Sequence, residues 1–509
     1  MKMRHRCLGI IAAGALVAGM TACAGTDRDA GSDGNQTVRI QGIENMTGLD
    51  RYAVNGIGQD SIAMLWGDML VSTDHRGTYT AGLVEDWEWS EDELSVELTV
   101  RQGVTFSNGD ELTSEDVAFT IARLKDPELP NAGAWAVVDT VETPDEHTVI
   151  VNFSAPMPVF LNLASRTPGL NAAAYAEDPE GYFDAPIGTG PYNVVSFNGP
   201  TGTVKLEQKD DWWGWTDDNR SNVTTIEYSY VPADQSRVSA LQAGEVEIVQ
   251  KLPVGDSDRI AAEGFVIDKY NELSHVYFGL RSGEGDPFES PQLREALSLA
   301  IDRESLVNDL LGGGRVSTWP SMPDTIGFRD GDGYAFDPEA AARLVVESGY
   351  DGAELNFILP NGLFAQGQEV AEAIQAMAGA VGINLAVVSL ETATMQEHIS
   401  AGSYDIYMNA FTMVNADSFT QITSLIGRDR FNTGFVNPEL TALTQEIAVT
   451  VDQTTRDDLT AEAYQIIMDS FAPTIFLYEP LGVTASVESV TGLIPFPDGV
   501  ADFRFLTKS

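Results

Sequence analysis

Apolar and polar residues alternate between positions 94 and 100: Leu94, Val96, Leu98 and Val100 are separated by Ser95, Glu97 and Thr99. A period of two sends one set of side chains to each face, which predicts a half-buried strand. The apolar run 149–151 and the run 225–231 predict two more strands. A helix is expected from Thr113, where Asp116 completes a capping box and Val117, Ile121 and Leu124 fall on one face. The first half of the chain is otherwise strand-rich.

From about residue 290 the pattern becomes helix and strand in alternation. Ser290-Pro291 supplies an N-cap and a first-turn proline ahead of the stripe Leu293, Leu297 and Ile301. Asp337-Pro338 repeats the device, with Leu344 and Val345 inward and Gly349 closing the helix. Val370, Ile374 and Met377 define another helix, Leu385–Leu390 a strand, and Gly402 the end of one more helix before a strand at 404–408. Asn437-Pro438 opens a further helix, and 474–478 is a late strand. Such alternation predicts a sheet covered by helices, an α/β body. No internal repeat is evident, and no low-complexity run follows residue 36.

The first 36 residues follow a different logic. Lys2, Arg4 and Arg6 precede an apolar, Gly/Ala-rich stretch of 13 residues, 8–20, too short to span a bilayer. It ends in Met20-Thr21-Ala22-Cys23. This resembles the bacterial lipoprotein signal, in which the Cys after the small residues is lipidated and becomes the mature N-terminus. The alternative is a plain secretory signal with an incidental Cys. On the lipoprotein reading, 1–22 is the signal peptide and 23–36, small and polar, is a flexible tether. The protein is then expected on the outer face of the cell membrane, anchored through Cys23.

Charge narrows the function classes. The 509 residues hold 29 Lys and Arg against 76 Asp and Glu, a formal net charge of −47. A surface of that sign repels phosphate backbones and anionic lipid, so no nucleic-acid partner is expected. Solubility in salty surroundings is the plain reading of the acidity, and a preference for cationic ligands the sharper one. Both cysteines, Cys7 and Cys23, lie near the N-terminus, which leaves the body without a disulfide or a thiolate ligand. No nucleophile elbow, phosphate-binding loop or H-E-x-x-H motif occurs. His75, His147, His275 and His398 are too dispersed for a local metal motif. No catalytic residue, metal or cofactor is therefore expected; an Asp/Glu pair can always be drawn among so many carboxylates, so none is named, and a secreted hydrolase stays open.

Five stretches carry a resemblance. Leu83-Val84-Glu85-Asp86-Trp87 runs through the alternating strand to Arg101-Gln102-Gly103-Val104-Thr105-Phe106, and Thr113-Ser114-Glu115-Asp116-Val117 follows. Gly188-Thr189-Gly190-Pro191-Tyr192 precedes Asp211-Trp212-Trp213-Gly214. The remaining three are 237–247 (RVSALQAGEVE), 293–303 (LREALSLAIDR) and 337–350. In order and spacing these are similar to the solute-binding proteins of ABC importers that handle oligopeptides, dipeptides, nickel complexes and opines (family 5). The motifs themselves read as structural. The Gly-Thr-Gly-Pro turn is expected to need glycine conformations. Arg294, Asp302 and Arg303 are expected to pair locally, and Trp212, Trp213 and Trp215 to pack.

The resemblance implies a two-lobed, periplasmic-binding-protein-like α/β fold of type II with three domains, a hinge and an interlobe ligand cleft. It places lobe I, discontinuous, at 37–56, 188–282 and 483–509, an inserted smaller domain at 57–187, and lobe II at 283–482. It further implies a monomer that captures a small molecule or peptide, an oligopeptide first, and delivers it to a membrane permease. Nickel–chelator, sugar or opine binding by the same fold is the alternative. A secreted enzyme or a surface sensor comes after these.

The resemblance also places the ligand site. Peptide-binding relatives follow the strand "Y-D" with an aromatic residue and then an Asp that pairs with the peptide α-amino group. Here the strand leads to Asn409, Ala410 and Phe411, then Thr412, Met413, Val414, Asn415, Ala416 and Asp417. Phe411 stands at the aromatic position and Val414 at the Asp position. Asp417 either replaces the missing carboxylate or caps the next segment. Phe411, Met413, Asn415, Asp417 and Asn409 are the expected ligand contacts on this side. On the other, Arg166 stands where nickel-complex relatives hold a chelator carboxylate, a task suited to a guanidinium; a surface ion pair is the alternative.

Overall fold

The computed structural model of the protein describes residues 36–53, 57–73, 78–323, 325, 327–362, 366–413, 417–425 and 431–509. The expected signal, Cys23 and the expected tether up to residue 35 lie outside the described residues, as do Val414 and Asn415.

Three sheets organise the described chain. The alternating segment forms the strand Ser95–Val100, with Val96, Leu98 and Val100 buried. Leu94 stays outside it, 37% exposed. This strand lies in a four-stranded antiparallel sheet between Val84–Trp89 and Thr148–Phe153, with Val138–Asp145 beyond. The helix Ser114–Arg123 packs near it, and its Thr113–Asp116 capping box is present as expected. A seven-stranded sheet runs in the order Val266–Asn271, Leu481–Ser486, Ile248–Val249, Thr37–Gly42, Thr225–Tyr230, Thr203–Gln208, Tyr192–Asn198. A six-stranded sheet runs Arg315–Val316, Thr474–Glu479, Ser274–Leu280, Ile406–Thr412, Leu355–Pro360, Leu385–Leu390.

The chain passes between the two large sheets at Glu272-Leu273 and again at Pro480. The crossings are hydrogen-bonded to each other, the Glu272 N–H donating to the Pro480 carbonyl at 2.9 Å. Two short adjacent connections of this kind make a hinge. The second lies within three residues of the expected boundary at 482. The first does not match the boundary at 282: Ser274–Leu280, there assigned to lobe I, pairs with Ile406–Thr412 and Thr474–Glu479 in the six-stranded sheet. All seven of its residues are buried, and a uniformly buried strand shows in its own pattern no preference for either sheet.

Two motif readings need correcting. Gly188 and Gly190 do not adopt left-handed conformations. They are small because the loop lies against the end of the helix Ile57–Trp66: a Cβ on Gly188 would fall 1.9 Å from the Trp66 carbonyl oxygen, and one on Gly190 2.5 Å from that of Leu65. Arg294 and Arg303 do not pair with acids. Arg294 donates to the carbonyls of Phe288, Glu289, Ser470 and Phe471, and Arg303 to those of Ser298, Ile301 and Phe476. Burial lowers both to about 10. They tie the helix Pro291–Leu299 and the short helix after it to the chain around the strand Thr474–Glu479.

The helix caps are otherwise close to expectation. Asp337 and Asn437 accept from backbone N–H groups of their helices, and Gly349 and Gly402 close theirs in left-handed conformations. Ser290 is the exception: its hydroxyl turns to Gln292 and caps nothing. Trp212, Trp213 and Trp215 pack together, with the first two indole N–H groups donating to buried Asp68.

Candidate ligand site beside the hinge

The strand Ile406–Thr412 is buried through Met408 and half-buried from Asn409 onward, so its hinge end is where the six-stranded sheet opens. Antiparallel pairing sets Phe411 opposite His275 and Asn409 opposite Tyr277. Opposed residues share a face, and this face holds the aromatic cluster of Tyr277, Tyr404, Tyr407, Phe431 and Phe476, with Phe411 at its edge. Phe411 is thus half-buried with a partner layer behind it. The Asn409 carboxamide oxygen accepts from the Ala410 N–H.

Met413 is placed differently. It is fully buried with Leu273 and Met322, and its N–H donates to the Leu273 carbonyl at 2.7 Å. It packs the hinge and offers no surface to a ligand. Leu273 in turn donates its own N–H to Pro497, next to Asp498.

Asp498 leads to Arg166. The Arg166 guanidinium pairs with Asp498 and, at 3.4 Å, with Asp60, which also pairs with Arg51. Burial opposes the Arg166 charge, but Asp498 and Asp60 outweigh it and raise its pKa. Two guanidiniums and two carboxylates compensate one another here, so Arg166 is neither a surface ion pair nor an uncommitted carboxylate receptor.

Asp417 is committed as well. It pairs with Arg456 at 2.9 Å, each side chain 3% exposed, and its Oδ1 accepts from the Phe419 N–H at the start of the helix Ser418–Leu425. The Arg456 guanidinium also stacks over the Phe419 ring at 5.0 Å. Of the two readings of Asp417, the geometry supports the capping one.

Tyr79, which the sequence did not single out, brings the other side of the site. It belongs to the short strand Tyr79–Ala81, paired with Val71–Thr73 in a two-stranded sheet, and hydrogen-bonds Asn162. Burial raises its phenol pKa first, and the Asp417 charge raises it further while Arg456 opposes. Tyr79, from 57–187, therefore stands within electrostatic reach of the Asp417–Arg456 pair on the far side of the hinge. A tyrosine in a short strand with no motif around it carries no sequence signal for this.

His275 also stands at this end of the sheet, with Glu479 and Arg315 beside it. Burial, with help from Arg315, lowers its pKa from 6.5 to about 3. The imidazole is neutral when folded and protonates first in the unfolded chain. Stability is accordingly present above pH 6.5 and lost as pH falls from 6.5 toward 3. The slope approaches about 1.4 kcal/mol per pH unit. Denaturant titrations across this range are expected to show that limb, and His275→Phe to flatten it; an unchanged limb in the variant would contradict the assignment.

Among the described residues, no helix is long and apolar enough to cross a membrane, and no group of three or more His, Cys, Asp or Glu could hold a metal.

Comparison with known proteins bears on this geometry. The sequence model of the bacterial extracellular solute-binding proteins, family 5 (middle), matches residues 78–432, more than half the chain. Heme-binding protein A of Haemophilus influenzae is 25% identical over 458 residues, covering 83% of this chain and 82% of that protein. The dipeptide-binding protein DppE of Bacillus subtilis is 23% identical over 463 residues, covering 84% and 83%. Among solved structures, the ABC transporter substrate-binding protein CtaP from Listeria monocytogenes superposes with a TM-score of 0.83 at 21% identity, over 93% of this chain and 99% of that one.

Proposed function

Because this chain belongs to family 5 of the bacterial extracellular solute-binding proteins, we propose that it is the monomeric, lipid-anchored binding subunit of an ABC importer, capturing an oligopeptide between its lobes and presenting it to a membrane permease. One observation carries the reading: among the described residues, the chain passes between the two large sheets only at the paired crossings 272–273 and 480. Elements linked this way rotate about the crossings and close on a solute. The side chains gathered there bind and do no covalent chemistry.

A peptide is favoured by the composition of the site. Its charges are already paired, Asp417 with Arg456 and Arg166 with Asp60 and Asp498. Among the described residues of the candidate site, the Phe411 ring, the Asn409 amide and the Tyr79–Asn162 pair remain for a ligand, a set suited to hydrogen-bonding backbone and apolar side chains. On this reading the α-amino group is not held by Asp417. DppE, a dipeptide-binding protein by name, is among the relatives.

Native mass spectrometry of protein extracted from membranes tests both halves. The expected spectrum shows a chain beginning at a lipid-modified Cys23, carrying co-purified peptides. A mature chain without lipid removes the anchor, and exclusive co-purification of a non-peptide solute removes the ligand class.

A further inference from the structure

The two crossings between the large sheets are fastened to opposite sides. The seven- and four-stranded sheets share one core, and the six-stranded sheet has another. At the first crossing Glu272 pairs with Lys251, whose neighbour Leu252 donates its N–H to Val483 of the seven-stranded sheet at 2.8 Å. At the second, Glu479 pairs with Arg315, its cross-strand neighbour in the six-stranded sheet. A Cβ on Gly314 would fall 2.6 Å from the Glu479 carbonyl oxygen, so the segment that carries Arg315 lies directly on this crossing. Lys251 is held from two directions. Its φ of 53° is left-handed, a conformation uncommon in a lysine. The buried Arg237 guanidinium donates to its carbonyl at 2.7 Å, and Glu272 holds its amine.

Leu273 lies between two fastened peptide planes. Such planes are rigid, and the chain turns only at φ and ψ. The Leu273 N–H donates to the Pro497 carbonyl at 2.6 Å. Next to Pro497, Asp498 is held by Arg166, and the Ala501 N–H donates to Ser61 at 2.9 Å. This plane therefore belongs with the seven- and four-stranded sheets. The Leu273 carbonyl accepts from the Met413 N–H at 2.7 Å, just past the strand Ile406–Thr412, and Ser274 begins the next strand of the same sheet. This second plane belongs with the six-stranded sheet. Only φ and ψ of Leu273 separate the two. On the other crossing the proline ring fixes φ of Pro480, and the Pro480 carbonyl accepts from the Glu272 N–H at 2.9 Å.

We propose that lobe closure, the reading on which this inference rests, turns at Leu273, and that Lys251–Glu272 and Arg315–Glu479 are positioning pairs that confine the rotation there. Each pair keeps its crossing seated on one side while the other side moves. A rotation confined to one residue brings the cleft walls together in one register, so Phe411 and Asn409 meet the solute in a fixed geometry.

Crystal structures of the full chain, emptied by unfolding and refolding and then reloaded with the material released from the same preparation, test this. The expected difference between the two forms is a change in φ and ψ concentrated at Leu273, with both ion pairs intact in each. Closure spread over 270–275, or centred on 479–481, overturns the inference alone, as does either pair broken in one form. Identical empty and loaded structures remove the closure reading and this inference with it. Hydrogen exchange of the empty protein gives a readout that needs no ligand. In Glu272→Gln the Leu273 and Met413 amides are expected to exchange about tenfold faster than in the parent, because a charged hydrogen bond beside them is lost. The Phe278 and Met408 amides, paired inside the six-stranded sheet, are expected to stay unchanged. A merely structural role raises exchange at all four. That result, or unchanged exchange at Leu273 and Met413, overturns the positioning role of the pair.

Discussion

Asp417→Asn is expected to destabilise the ligand-free protein by about 3–5 kcal/mol, the cost of leaving one member of a buried ion pair uncompensated. Arg456 and Asp417 are each 3% exposed, and the guanidinium nitrogen that faces Asp417 lies 2.9 and 3.3 Å from its two oxygens. Asparagine keeps an oxygen for the Phe419 N–H but no charge for Arg456. The double variant Asp417→Asn with Arg456→Met removes the stranded cation and should recover much of the loss. Chemical denaturation of protein freed of ligand reads this directly. The ligand-anchor view of Asp417 predicts the opposite pattern: unchanged stability of the empty protein and weakened binding of a free-amino ligand.

Gly188→Ala is expected to cost about 3 kcal/mol, the upper end for overpacking a well-filled site. The added carbon would fall 1.9 Å from the carbonyl oxygen of Trp66 and 2.7 Å from its ring, and Trp66 is 1% exposed at the end of its helix. That carbonyl already accepts the Gly190 N–H at 3.0 Å, and Gly188 accepts from the Ser107 N–H at 2.9 Å. The loop therefore cannot retreat without breaking its own bonds. Gly133→Ala is the matched control: it has ordinary dihedrals and nothing within 4 Å of the new carbon, so thermal denaturation should show it near the parent. Equal midpoints for both variants would contradict the contact.

The sequence carried the fold because its signals are local. The alternation at 95–100, the Thr113–Asp116 box and the Asp337-Pro338 and Asn437-Pro438 starts each specify an element through residues within one turn of each other. The motifs brought in the family without stating why their residues are there. Gly188 illustrates this: a glycine pattern shows that a Cβ is unwelcome, and only the Trp66 carbonyl shows the reason.

The site was less legible because its partners are distant in sequence. Asp417 is separated by 39 residues from Arg456 and Arg166 by 332 from Asp498. With 76 acids in the chain, no local rule selects which one an arginine meets. Phe411 and Asn409 lie on a strand whose burial falls toward its end. Met413, two residues on, was lost to the hinge core, since a bend at a strand end rotates side chains out of alternation. Tyr79 became visible only once the two sheets were placed together.

The central claim is that the two sheets move about 272–273 and 480 to enclose a solute. Small-angle X-ray scattering of the protein, first emptied by unfolding and refolding and then reloaded with the material released from the same preparation, tests it most directly. The account predicts a smaller radius of gyration and a shorter maximum dimension on reloading, reversed when the ligand is removed again. Superimposable curves for the empty and the saturated protein would contradict it.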